Sequence, residues 1–253
     1  MRRGEVLGLL ILRGVRASLR NPVYLFMGVG TPLIYLALFT PLLGTLAVRG
    51  GLETENILTL FVPGMLPIIA FSTGLFTGFG MIDEVRAGVI ERFRVTPASR
   101  FSILGGHVFF DAASALFQAL LFTLIAIPFG FRAHLLGMGV LFLLLALLAL
   151  ITSSIGNALG VIFKSEDRYA PIVHGIHLPV LLLSGTLLPI SLAPFWLKVV
   201  AHFNPVYYVV SASRALAVGE FSSMSILYAF VILTGGVLAA LSWATHVFRK
   251  VVT

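Results

Sequence analysis

Few side chains in this sequence have types and spacings that could do chemistry, and most of them stand inside apolar runs. Asp111 lies about two turns into a long apolar stretch, four residues after His107 and so on the same helical face. An acid inside a membrane span can carry a proton or a sodium ion, which an ion-coupled carrier requires. Two other readings stand beside that one: Asp111 rests at the membrane surface, or it pairs with His107. His174 and His177 are three apart and share a face. They could hold a metal, but no carboxylate stands near them and no His-Glu-x-x-His occurs. Polar packing inside a helix bundle is the other reading. Ser184-Gly185 offers a hydroxyl with no base placed beside it, so an intramembrane enzyme lacks its catalytic pair. There is no cysteine, which excludes disulfides and thiolate metal sites. The dipeptide Gly-Lys is absent, and with it the glycine-rich loop that cradles phosphates in many ATPases. No catalytic residue, cofactor site or metal site is therefore expected on this chain.

The elements that would position these groups follow from composition. The chain has 253 residues, 58% of them hydrophobic and 11% charged, with a mean hydropathy of +1.05. Soluble domains carry about a quarter charged residues, so the expected fold class is an all-α integral membrane protein. Six spans are read at residues 23–46, 57–82, 103–131, 135–163, 171–188 and 225–247, as one transmembrane domain over 1–253. Residues 1–20 hold Arg2, Arg3, Arg13, Arg16 and Arg20 around Val6, Leu9, Leu10 and Leu12. That pattern predicts an amphipathic helix lying on the membrane surface, with its arginines toward lipid phosphates. No small-residue cleavage site follows an apolar core there, so a cleaved leader is not expected. The second span is rich in small residues, as is the TSSIGNALG half of the fourth, and both are expected to face protein. The leucine-rich first half of the fourth is expected to face lipid.

Residues 189–224 break this rhythm. Pro189, Pro194 and Pro205 cut them into apolar pieces too short to cross a bilayer. Arg214 within them would cost about 2.5–3.5 kcal/mol at the centre of a span. Two short re-entrant helices in the outer leaflet are predicted, with Arg214 near the interface; an ordinary outer loop is the alternative.

Asp83 to Arg100, DEVRAGVIERFRVTPASR, is the longest charged island. Val85, Val89 or Ile90, and Phe93 recur at helical spacing, and Pro97 ends the pattern. This predicts a short amphipathic helix beside the membrane, either a docking surface for a soluble partner or a solvated loop that only fixes topology. The N-terminal segment, the island, residues 164–170 and the C-terminus hold 5, 4, 2 and 2 Lys/Arg, thirteen of the seventeen. The positive-inside rule places all four, and hence both termini, in the cytoplasm. This asymmetry accounts for the net charge of +7, and no nucleic-acid partner is expected.

With no energy source visible on the chain and a docking surface beside the membrane, the order of parts resembles the ABC-2 type permeases, membrane subunits of bacterial ABC exporters. The likeness runs over nearly the whole chain and rests on two motifs. One is Glu84-Val85-Arg86-Ala87-Gly88-Val89-Ile90-Glu91-Arg92, running to Val95-Thr96-Pro97-Ala98-Ser99-Arg100. The other is Leu188-Pro189, then Asn204-Pro205-Val206-Tyr207-Tyr208 and Arg214. The ERFRVTP wording looks closer to the drug-resistance branch.

The resemblance implies an exporter half with a coupling helix at 83–100, seated on a separate nucleotide-binding ATPase subunit that carries ATP and Mg. Glu84, Arg86, Glu91, Arg92, Arg94, Pro97 and Arg100 are the candidate polar and turn-forming contacts to that ATPase, with Val89 and Phe93 as apolar anchors. Pro189, Asn204, Pro205, Tyr207, Tyr208 and Arg214 would shape the outer exit. A second permease copy, identical or related, would complete the unit in the cytoplasmic membrane of a bacterium or archaeon. The expected cargo is a drug, lipid or glycolipid. The competing reading is an ion-coupled secondary carrier using Asp111.

Overall fold

Hydrocarbon offers no hydrogen bonds, so a chain this apolar must satisfy its backbone groups within its own helices. The computed structural model describes residues 29–38, 41, 55–89, 100–187, 190 and 193–251, and among these there is no strand. The helices are α1 (Val29–Leu38), α2 (Glu55–Arg86), α3 (Arg100–Ala126), α4 (Leu135–Phe163), α5 (Glu166–Leu183), α6 (Phe195–Ala201), α7 (Pro205–Ala217) and α8 (Met224–Val251). Four stretches are long and apolar enough to cross a bilayer: Leu58–Arg86, Leu104–Phe129, Leu135–Phe163 and Met224–Lys250. The interfacial segment expected at 1–20 lies outside the described residues, as does all of the first expected span beyond 29–38 and residue 41.

α2 and α4 form the centre. Every residue from Phe61 to Phe71 is buried, and α4 packs against α2, α3, α7 and α8. Lipid tails are as apolar as leucine, so burial of oil cannot drive helices together; close backbone approach does. Gly74 and Gly78 of α2 face Gly156 and Gly160 of α4, each pair at four-residue spacing. A Cβ on Gly156 would stand 2.6 Å from the Gly74 carbonyl oxygen, and one on Gly160 would stand 2.6 Å from that of Gly78. Only glycine permits these contacts. Tyr169 closes the same seam, its hydroxyl donating to the Leu75 carbonyl at 2.6 Å. The outer faces are apolar, with Phe117 and Leu124 on α3 and Val231 and Leu238 on α8 exposed.

Several expected boundaries move. The island does not begin after α2: Asp83 to Arg86 are its last turn, and the helix stops at Gly88, whose φ of +66° suits glycine. Residues 164–170 are not a loop. Lys164 turns the chain with φ +51°, and Ser165 starts α5. Glu166 and Asp167 sit in the first turn of α5, where the helix dipole favours acids. The leucine-rich half of α4 is split, with Leu135, Leu136 and Leu143 exposed but Leu141, Leu144, Leu145 and Leu148 buried. Its TSSIGNALG half faces protein as expected, with Thr152, Ser153, Gly156, Asn157 and Gly160 all buried.

A methyl group at position 156 or 160 should force α2 and α4 apart. Gly156→Ala and Gly160→Ala should each destabilise the protein by about 1–3 kcal/mol, the usual range for overpacking. Gly139→Ala meets open space and should not lower the thermal midpoint in detergent, since alanine favours a helix over glycine by about 0.5–1 kcal/mol.

Candidate functional site

Two polar constellations sit at opposite ends of α2. The first gathers the basic segments. Met81, Leu104, Val108, Ala158, Val161, Ala244 and Phe248 form one apolar cluster. It brings together the end of α2, the start of α3, the end of α4 and the end of α8. Arg86, Lys164, Arg168, Arg249 and Lys250 therefore stand at the same end of the bundle. Glu84 reaches across to His107 of α3, Oε2 to Nε2 at 2.8 Å. Arg86 donates to Glu166 of α5 at 2.7 Å. These two residues, expected to face an ATPase, engage α3 and α5 within the chain. Val89 is half-buried just past the Gly88 turn, and Arg100 opens α3. Glu91, Arg92, Phe93, Arg94 and Pro97 lie outside the described residues.

One turn deeper, the expected pairing of Asp111 with His107 is replaced. His107 takes Glu84, while Asp111 is buried and accepts from Asn157 Nδ2 at 2.7 Å. The same amide lies 2.9 Å from the Ser153 carbonyl. Asp111 therefore ties α3 to α4 inside the bundle.

The second constellation is built on the prolines of α2. Pro67 has no N–H, so the Pro63 carbonyl loses its helical donor. The Ser213 hydroxyl of α7 sits 2.7 Å from that carbonyl. Arg214, beside it, donates through Nε to the Leu60 carbonyl at 3.2 Å and through Nη2 to Gly185 and Thr186 at 2.7 and 3.1 Å. Thr186 Oγ1 donates to the Gly64 carbonyl at 3.2 Å. Gly64 leaves room for the guanidinium, since a Cβ there would stand 3.2 Å from Nη2. The guanidinium remains charged at any physiological pH. Arg214 thus pins α7 to α2 and to the turn after α5.

Asn204 begins α7 as a cap, accepting from Val206 N at 3.0 Å and donating to the Val180 carbonyl at 3.0 Å. Pro205 follows at the first helical position, where its missing N–H costs nothing. Tyr207 and Tyr208 pack with their ring centroids 5.4 Å apart. Pro189 lies outside the described residues. His177 accepts or donates a 2.7 Å bond with Ser72 and stacks on Phe71, and His174 packs on Phe76. That is polar packing within the bundle, and no group of three or more metal-ligating side chains occurs among the described residues. The Ser184 hydroxyl donates to the Leu181 carbonyl at 2.7 Å and meets Thr186 rather than a base.

Long apolar helices joined by buried polar ties, with the basic segments gathered at one end, define a polytopic membrane protein. The family model described as ABC-2 type transporter matches residues 5–218, and the chain belongs to that family. It is 29% identical over 201 residues to the putative transport permease ycf38 of Cyanophora paradoxa, covering 78% of this chain and 69% of that one. It is 27% identical to the daunorubicin resistance ABC transporter permease protein DrrB1 of Streptomyces coeruleorubidus, covering 82% and 73%. The inner membrane transport permease YadH of Escherichia coli K12 is 27% identical, covering 73% and 71%.

Removing the Arg214 tie should be costly. Arg214→Leu removes the guanidinium from the buried Gly185 and Thr186 carbonyls, at about 1–3 kcal/mol for each buried group left unpaired, and should lower the thermal midpoint more than Arg214→Lys. Asn157→Leu should destabilise more than Asp111→Asn, because the Asn157 amide can still donate to an amide oxygen at position 111. Denaturation of the purified variants in one detergent checks both rankings.

Proposed function

We propose that this chain is the membrane subunit of an ATP-driven exporter, moving a hydrophobic or amphiphilic molecule outward across the cytoplasmic membrane. ABC-2 permeases work with a separate ATP-binding subunit, and here that partner would hold ATP and Mg. Two permease copies, identical or paired with a relative, would form the pathway. Residues 23–46 and 171–188 would complete six spans, with 1–20 on the inner surface and both termini inside. α6 and α7 would dip into the outer leaflet.

One observation carries this reading. The end of α2, which leads into the 83–100 island, is tied to α3 by Glu84–His107 and to α5 by Arg86–Glu166. A partner that pushes on the island would move three helices together. Glu91, Arg92, Phe93, Arg94, Pro97 and Arg100 then face the ATPase with Val89, while Glu84 and Arg86 hold the island to the bundle. The drug-resistance relative supports an amphiphilic cargo.

The test is reconstitution with the cognate ATPase. Charge reversal of Glu91 and Arg92 together should abolish ATPase stimulation by the permease while its melting profile stays unchanged. Normal stimulation would count against coupling through this segment. Transport that persists without the ATPase, and stops with Asp111→Asn or a collapsed proton gradient, would instead mark an ion-coupled carrier.

A further inference from the structure

One face of α4 can be followed along its whole length. Gly137, Leu141, Leu144 and Leu148, then Ile151, Ile155, Leu159 and Ile162, recur at three- and four-residue steps. The first four are buried. α7 presses on the start of this strip, where a Cβ on Gly137 would meet the Leu216 carbonyl. The strip then opens: Ile151, Ile155 and Leu159 are partly exposed, and Ile162 is 43% exposed.

α8 flanks the open half. Its Ile232 lines the corner between α7 and α8. Trp243 and Lys250 follow Ile232 by whole numbers of helical turns, so they continue that face of α8 toward the basic end of the bundle. Trp243 is 41% exposed.

The open half ends in cations. Lys164 follows α4 directly, Arg168 stands one turn beyond it, and Arg249 and Lys250 close α8. Lys164 and Arg168 make no ion pair with another described residue. Glu166 is already held by Arg86, which leaves Asp167 as the one other acid of these segments.

Length and charge together select what lies on the strip. Ile151 to Ile162 rises about 16 Å at 1.5 Å per residue, close to half of a hydrocarbon core about 30 Å thick. A helix of a second copy would cross the whole core, and the buried first half of the strip gives it nothing to pack on. An acyl chain from one leaflet ends where the strip closes. Residues 1–20 carry five arginines and would bring like charge to the rim. A phospholipid with a net negative headgroup brings the opposite charge.

We propose that the open half of this α4 strip holds an acyl chain of a resident anionic phospholipid, with the headgroup on Lys164 and Lys250. The lipid is bound and not carried, so the proposal requires only that the chain spans a bilayer and does not rest on the exporter reading.

The chain has two tryptophans, so Trp196→Phe leaves Trp243 as the sole indole. This full-length variant is placed in nanodiscs of unlabelled phosphatidylcholine. Graded fractions of brominated phosphatidylglycerol or brominated phosphatidylcholine, with identical chains, are then included. Bromine quenches only a nearby indole, so Trp243 fluorescence reads occupancy of the strip. Each basic side chain near an anionic headgroup contributes on the order of fivefold in binding. Phosphatidylglycerol should therefore reach half-maximal quenching at a mole fraction at least fivefold lower than phosphatidylcholine. Lys164→Gln with Lys250→Gln should remove that preference, while Lys164→Arg with Lys250→Arg should keep it. Arg132→Gln, at the opposite end of α4, should also keep it. Equal quenching by the two lipids would mean unselective contact with bulk lipid and overturn the proposal. So would a preference that survives the glutamine pair, or an indole that neither lipid quenches, which would mean that protein covers the strip. ATPase stimulation by a cognate partner is measured on the same variants, so loss of lipid preference is distinguishable from loss of coupling.

Discussion

The structure turns on carbonyl groups that one helix cannot satisfy by itself. α2 carries Pro63 and Pro67 in its interior, and each proline removes a donor from the helical ladder. In water the freed oxygens would hydrate. Inside a bundle they must be met by another part of the chain. Ser213 of α7 meets the Pro63 carbonyl, which Pro67 frees, while Arg214 and Thr186 add second bonds to the Leu60 and Gly64 carbonyls beside it. The defect in α2 therefore gives α7 a fixed place to dock. An arginine suits this place better than a lysine, because its rigid fork can serve carbonyls on two different elements at once.

At the other end of α2 the constraint is charge rather than backbone. Arg86 and Glu166 have side chains 48% and 49% exposed, and such a pair contributes little to stability. Its value is positional, since it holds the first turn of α5 against the end of α2. Glu84 and His107 are less exposed and do the same for α3. Asp111 with Asn157 repeats the device one turn deeper, between α3 and α4. Three polar ties thus join four helices within a short distance of the island. A buried acid in a span invites an ionic mechanism, but this one already has an amide partner that fixes the register of α4.

Much of this was legible in the sequence and some was not. Apolar length gave the long helices, and the fourth expected span agrees with α4 to the residue. Helix ends were harder, because charged residues interrupt an apolar run without ending a helix: Asp83, Glu84 and Arg86 stay in the last turn of α2. Gly88 was the signal that ends α2. The α2–α4 seam was also readable, since Gly74-x-x-x-Gly78 and Gly156-x-x-x-Gly160 are matched small-residue spacings in two apolar runs. The partners of Asp111, Arg214 and Glu84 were not readable, because they are 46, 154 and 23 positions away along the chain. No local pattern encodes contacts of that kind. Only the packing of the helices decides which polar groups meet.

The two constellations are linked by what lies between them. A helix of 32 residues is about 48 Å long at 1.5 Å per residue, so α2 alone connects the island to the Arg214 site. Along its middle the contact with α4 is backbone against backbone, through glycines that leave no side chain to rearrange. Tyr169 wedges the same seam and is itself hydrogen-bonded to α2. A contact of this kind does not yield by small rotamer changes. It either holds or slides as a unit. Under the exporter reading, a push at Asp83–Arg86 would reach Leu60 and Gly64 as a movement of the whole helix, and α7 would follow through Arg214. The carbonyls that tie α7 to α2 would then set how far the outer segment moves as well as where it docks.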